Sequence, residues 1–155
     1  MIEDKPIQIF RYEYFFLSNF YQCEITIDGI TYKSAEAAFQ AQKTLDIEKR
    51  KKFVDMEPKR AKAYGKRVKL REDWEAVKLG IMENIVRQKF TQNEYIRNKL
   101  IETGDRPLCE LNTWRDTFWG VSAKTGKGEN HLGKILMKIR KEFQELYDKY
   151  IEEEL

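Results

Sequence analysis

Histidine is nearly absent from this 155-residue chain, with His131 the only one. A single imidazole excludes HExxH zinc chemistry and argues against any Cys/His zinc site. A Ser-His-Asp triad would have to use His131, and no GxSxG nucleophile turn accompanies it. Cysteine is scarce too. Cys23 and Cys109 lie far apart without CxxC spacing, which reads as two buried free thiols of a reducing compartment. No apolar run approaches the ~20 residues of a membrane span. The first residues, Met1-Ile2-Glu3-Asp4-Lys5, lack a hydrophobic signal core, so the expectation is a cytoplasmic protein with no membrane partner. Any chemistry then rests on carboxylates, lysine, aromatics and backbone dipoles, with neither metal nor cofactor.

Aromatic residues are plentiful: three Trp, eight Tyr and nine Phe. Charged residues make up 35% of the chain with both signs represented, an ordinary globular balance. The length suits one domain over 1–155, with its core at about 7–150. Charge is unevenly spread. Residues 49–71 hold eleven Lys/Arg against Asp55 and Glu57, a local +9 within a chain of net +3. Such a segment is a candidate phosphate or nucleic-acid surface, with Lys59, Arg60, Lys66 and Arg67 as contacts; a solvated helical face is the alternative.

The expected fold class is α+β, mainly α-helical, with a small N-terminal β element and a long C-terminal helix. Ile7, Ile9 and Arg11-Tyr12 suggest a first strand. Glu24–Ile27 and Ile30–Tyr32 form a hairpin about a type I′ turn at Asp28-Gly29. Ser34 caps a helix of strong formers that extends to Lys43. Helices follow over about 47–55, from Pro58 towards Val68 with Gly65 near the end, and from an Asp73 cap to Phe90. Thr91-Gln92-Asn93-Glu94 reads as a capping box for a helix to about Ile101, and 103–107 breaks it. The last helix spans about 131–150, its stripe being Leu132, Ile135, Leu136, Ile139, Phe143, Leu146 and Tyr150. The tail Glu152–Glu154 is expected to fray.

Three features could carry chemistry. At about 100° per residue, Glu36 and Lys43 fall on one helical face two turns apart. Glu36 as a helix-dipole partner and Lys43 as a surface lysine are the bland alternatives. The loop Gly126-Lys127-Gly128-Glu129-Asn130 runs into a helix start, where unpaired amides suit a phosphate; Asn130 as a plain N-cap would need no function. Trp114, Phe118 and Trp119 surround Asp116, as stacking on a base or sugar requires. Core packing around a turn-forming aspartate is the competing account.

Taken in order, Phe16-Leu17-Ser18-Asn19-Phe20-Tyr21, Asp28-Gly29, Tyr32-Lys33-Ser34-Ala35-Glu36 and Phe39-Gln40-Ala41-Gln42-Lys43 resemble the YbiA-like, or NADAR, family. So do Asp116, Trp119-Gly120 and Gly128-Glu129-Asn130-His131-Leu132-Gly133-Lys134. The resemblance implies a mostly helical domain that cleaves N-glycosidic bonds. Two substrate classes go with it: ADP-ribose attached to guanine, free or in nucleic acid, and phosphorylated ribosylamino-pyrimidine intermediates of riboflavin synthesis. It also implies Glu36, Lys43 and Asp116 as reactive groups, with Ser18, Asn19, Phe20, Trp119, Gly126, Gly128 and Asn130 shaping the pocket. Many relatives carry His directly after this glutamate, where the chain has Ala37. No imidazole can act there.

The expected mechanism places phosphates on the Gly126–Asn130 loop and stacks Trp119 or Phe20 on the ligand. Glu36 or Asp116 assists departure of the base, with Asp116 the candidate for a protonated acid. Lys43 stabilises charge or attacks C1′. A non-catalytic reader of ADP-ribose or nucleic acid is the alternative of another class.

Overall fold

In a computed structural model describing residues 4–155, the Asp28-Gly29 turn stands where the sequence puts it, with φ of 50° and 79°. The reading of Met1-Ile2-Glu3 lies outside the described residues. The fold is α+β and mainly helical. It divides into two compact units: Ser18–Glu94, and the segment up to Leu17 together with Tyr95–Leu155.

The Ser18–Glu94 unit opens with an antiparallel hairpin, β1 (Gln22–Ile27) and β2 (Ile30–Ser34), in which Ile27 faces Ile30 and Ile25 faces Tyr32. Alternation sends Ile25, Ile27 and Tyr32 inward, as a half-buried strand pair requires. The chain turns directly from β2 into α1 (Ala35–Ala41), because Ser34 caps it: the Ser34 hydroxyl accepts the Ala37 amide at 3.1 Å. Such a cap contributes about 1 kcal/mol. Every residue of α1 is buried, and its alanines let α2 (Ile47–Lys51), α3 (Pro58–Gly65) and α4 (Trp74–Gln92) come close.

Several boundaries differ from the sequence reading. α1 ends at Ala41, since Gln42, Lys43 and Thr44 donate to the carbonyls three residues back, a tightened last turn. Lys43 therefore sits two residues past the helix, in that tightened turn. Asp73 stands at the N-cap of α4 as expected but makes no side-chain capping bond, because Arg71 takes its carboxylate with two bonds of 2.6 and 3.0 Å. No capping box forms at 91–94. Gln92 pairs with the Thr26 backbone instead, and Asn93 donates to the Glu24 carbonyl, which ties α4 to β1.

In the second unit the expected first strand shrinks to one bridge, Ile7 with Leu108, and Tyr12–Leu17 is a 3-10 helix. α5 (Glu94–Glu102) ends where Thr103 and Gly104 turn the chain. Two short strands that the sequence did not announce, β3 (Leu111–Asn112) and β4 (Val121–Ser122), pair in parallel. α6 (His131–Glu154) continues through the tail expected to fray. Its buried stripe stops early: Leu132, Ile135, Leu136 and Ile139 are inside, whereas Leu146 and Tyr150 are exposed. Cys23 and Cys109 are free thiols, half-buried rather than buried.

Candidate active site

Glu36 sits in the first turn of α1 and is 8% exposed. Gln40, one turn on and also buried, donates its amide to Glu36 Oε1 at 2.9 Å. That bond fixes the carboxylate, because both side chains rise from one helical face. Lys43 is half-buried. Its ammonium reaches the Gly65 carbonyl at 3.4 Å and stands 6.0 Å from the Trp74 ring centre. Burial pushes Lys43 below the usual lysine value; the Glu36 carboxylate pulls it back up, and Lys66 adds to the fall. Although α1 stops short of Lys43, the two groups thus feel one another.

Gly65 makes this approach possible. A Cβ there would run into the Gln40 side chain, so glycine at that position lets α3 close on α1 with Gln40 in place.

A turn at Ser18–Tyr21 lies against the start of α1. The Glu36 amide donates to the Asn19 carbonyl at 3.0 Å, and Ser18 Oγ accepts the Phe20 amide at 3.1 Å. Asn19 Nδ2 reaches Met82 Sδ at 3.5 Å, while its Oδ1 is buried without a hydrogen-bond partner. Lys62 stands 5.9 Å from the Phe20 ring centre. Ser18, Asn19, Phe20, Glu36 and Lys43 are therefore gathered within one unit, with Gln40, Gly65 and Trp74 around them. Lys59, Arg60, Lys66 and Arg67 are exposed on α3 and the turn after it.

The remaining expected residues gather in the other unit, in a different manner. Asp116 Oδ1 accepts the Phe118 and Trp119 amides at 3.1 and 2.9 Å. Its own backbone is held by Asn112 through two bonds of 2.9 and 3.0 Å. Asp116 thereby builds the turn with Oδ1, and the reactive role expected of it would fall to its other carboxylate oxygen. Trp119 stacks edge-on with Phe118 at 4.8 Å, and Phe118 lies 4.5 Å from the His131 ring. Trp114 is exposed.

The loop at 126–130, expected to cradle phosphate, spends four of its five amides on the chain itself. The Glu129, Asn130, His131 and Leu132 amides donate to the carbonyls of Thr117, Gly120, Phe118 and Trp119. The Gly126 amide serves Ser122, and Lys127 serves Thr125. The first four of these donors stitch the loop to the 117–120 segment, and the last two close the turn at 122–127. Gly128 has φ of 155°, and a Cβ on it would meet the Gly120 carbonyl. Asn130 stands at the N-cap of α6 without a side-chain capping bond: at φ of 53° its side chain accepts the Glu110 amide and donates to the Leu108 carbonyl, both at 3.0 Å.

The sequence reading gave no role to Gln40, Gly65, Trp74 or Lys89. A signal existed for Lys89, because Met82, Ile85, Val86, Lys89 and Phe90 follow one helical stripe, and all five are buried. Among the described residues no cluster of three or more His, Cys, Asp or Glu could hold a metal.

A family model described as the NADAR domain matches residues 9–144. The chain belongs to the NADAR domain family. N-glycosidase YbiA of Escherichia coli is 39% identical over 128 residues, covering 81% of this chain and 79% of that protein. An N-glycosidase of Nostoc punctiforme is 38% identical over 136 residues, covering 83% and 85%. A riboflavin biosynthesis protein of Vibrio vulnificus is 37% identical over 150 residues, 93% of this chain. This NADAR chain spans only 40% of that relative's length. The NMR structure of E. coli YbiA superposes with a TM-score of 0.80 at 35% identity, covering 91% of this chain and 86% of that one. The YbiA-like fold follows.

Proposed function

We propose that this NADAR protein is an N-glycosidase cleaving the bond between a base nitrogen and C1′ of ribose, with Lys43 and Glu36 as its reactive groups. The observation that carries the reading is the surroundings of Lys43. Burial lowers its pKa, as a nucleophilic amine requires, while the Glu36 carboxylate, fixed by Gln40, interacts with it electrostatically from the first turn of α1. The N-glycosidase names of the E. coli and Nostoc relatives support the same reaction class.

As the base leaves, C1′ gains oxocarbenium character, which the Glu36 carboxylate stabilises. The neutral Lys43 amine adds to C1′ as the bond to the base breaks, and the proton that its nitrogen then sheds passes to the departing base nitrogen. Opening of the ribose ring gives an imine between Lys43 and C1′. Water adds to that imine, releasing the sugar and regenerating the amine. Phe20 offers a ring for stacking. With the Gly126, Lys127, Glu129 and Asn130 amides engaged, phosphates are better served by Lys62 on α3 and Lys66 just after it.

The substrate we assign is ADP-ribose on a guanine base, with the exposed cations Lys59, Arg60, Lys66 and Arg67 suited to a nucleic-acid form of it. The Vibrio relative's name favours a second reading, a phosphorylated ribosylamino-pyrimidine of riboflavin synthesis. Side-by-side hydrolysis of ADP-ribosylated guanosine and the pyrimidine intermediate decides between them. Borohydride added during turnover traps the Lys43 imine as a stable adduct. Binding of ADP-ribose with no release of base from either compound would replace the enzyme by a reader.

A further inference from the structure

Lys89 is 1% exposed in the last turn of α4. Its ammonium donates to the Ser18 carbonyl at 2.8 Å and is otherwise lined by the Tyr21 and Phe90 rings, 5.7 and 5.1 Å from their centres. Among the described residues no carboxylate stands against it, and the Cys23 thiol is its one electrostatic partner. Burial accordingly pushes its pKa down to about 8. An ammonium in that setting costs the fold free energy, and an apolar side chain of equal length would ordinarily serve packing better. A stability cost of this kind is explained when the group places something that matters.

What it places is the Ser18–Tyr21 turn. The turn is pinned from one side by the Glu36 amide on the Asn19 carbonyl, which joins it to α1, and from the other by Lys89 on the Ser18 carbonyl. The same Ser18 carbonyl also receives the Tyr21 amide at 3.2 Å, so the ammonium braces the closing bond of the turn. Asn19, with its unpartnered Oδ1, and Phe20 belong to the turn so held.

We infer that Lys89 is a positioning residue, whose buried ammonium holds the Ser18 carbonyl and thereby sets Asn19 and Phe20 beside Glu36 for substrate binding. This rests on the N-glycosidase reading for its functional half and on the turn geometry alone for its structural half.

Two measurements on Lys89→Met separate these. With ADP-ribosylated guanosine, KM rises about tenfold, the size expected for loss of one charge-assisted hydrogen bond, while kcat stays within about threefold. In the protein without substrate, hydrogen exchange at the Phe20 and Tyr21 amides speeds up about tenfold, while the α4 amides keep their protection. Lys89→Gln, which keeps a shorter neutral donor, gives intermediate values and serves where the methionine variant folds poorly. Unchanged KM and unchanged exchange in both variants would overturn the inference. A uniform loss of α4 protection, with kcat and KM falling in step with stability, would also overturn it, leaving Lys89 as packing only. If wild type releases no base, the enzymatic reading fails on its own, and the exchange experiment still decides whether Lys89 holds the turn.

Discussion

The turn-and-helix cluster at Ser18–Lys43 and the loop cluster at Asn112–Asn130 both looked like half of a site, yet they use their polar groups in opposite ways. In the loop, the carboxylate of Asp116, the amide of Asn130 and four consecutive backbone amides are spent on neighbouring chain. In the helix cluster, a carboxylate is fixed by one glutamine, a lysine is half-buried beside it, and two buried oxygens, Asn19 Oδ1 and Gln40 Oε1, have no partner. Buried polar atoms are normally paired, so unspent capacity marks the place where a ligand is expected. A group that has met its needs within the fold builds; one that has not can react.

The largest effects therefore belong to the helix cluster. Lys43→Ala removes the proposed nucleophile and lowers kcat by roughly 10²–10⁴-fold or more, with little change in unfolding midpoint. Lys43→Arg is equally inactive, because guanidinium stays protonated. The pH profile carries the sign. Lys43 titrates below the usual lysine value, so if the neutral amine attacks, kcat/KM rises as pH climbs through that lowered pKa and then levels. A fall over the same window would assign Lys43 to charge stabilisation in its protonated form.

The loop cluster should break in the opposite order, stability first. Asn130→Ala deletes the bonds to Glu110 and Leu108 and puts alanine at φ of 53°. The loss is about 2–4 kcal/mol, read by denaturant unfolding. Substrate turnover per folded molecule stays within about threefold, since a positional role moves little chemistry. A kcat collapse with an unchanged unfolding curve would instead restore Asn130 to the site.

How far the sequence discloses this difference depends on the scale of the signal. The hairpin, the Ser34 cap and Pro58 at the start of α3 were legible because each is a local rule obeyed by a few adjacent residues. The end of α1 at Ala41 was not, because a tightened last turn leaves no residue signature. The short parallel pair of β3 and β4 was hidden for another reason: two-residue strands carry no periodicity, and their pairing is set by nonlocal backbone bonds. At the site, Glu36 and Lys43 stood out by chemistry. Gln40, Gly65 and Lys89 matter through partners 4, 22 or more residues away, as the bonds of Gln40 to Glu36, Lys43 to Gly65 and Lys89 to Ser18 show. The family pattern could mark such residues without saying what they touch.

Gly65→Ala tests that last point with a smaller effect. The new methyl forces Gln40 aside, costing about 1–3 kcal/mol of overpacking, and it also releases the Glu36 carboxylate. Stability and kcat therefore both fall. Adding Gln40→Ala recovers stability by removing the clash, yet leaves kcat low, because nothing then holds Glu36. Recovery of both would mean that Gln40 only fills space.

The smallest effect is electrostatic and distinguishes a tuned lysine from one merely buried. Lys66 is exposed where α3 ends, and its charge helps to lower the pKa of Lys43. Lys66→Gln lets that pKa rise, so a smaller fraction of Lys43 is neutral at pH 7 and the ascending limb of the profile moves to higher pH. Interactions of exposed charges are weak, which limits the loss of kcat/KM at neutral pH to a factor of about two to five. Salt should screen it: the difference between variant and wild type shrinks as ionic strength rises and the Debye length falls below about 8 Å. Burial is untouched by salt, so the greater part of the Lys43 shift survives. If Lys66→Gln leaves the ascending limb in place at low salt, desolvation alone tunes Lys43, and the basic face of α3 is left with phosphate binding as its role.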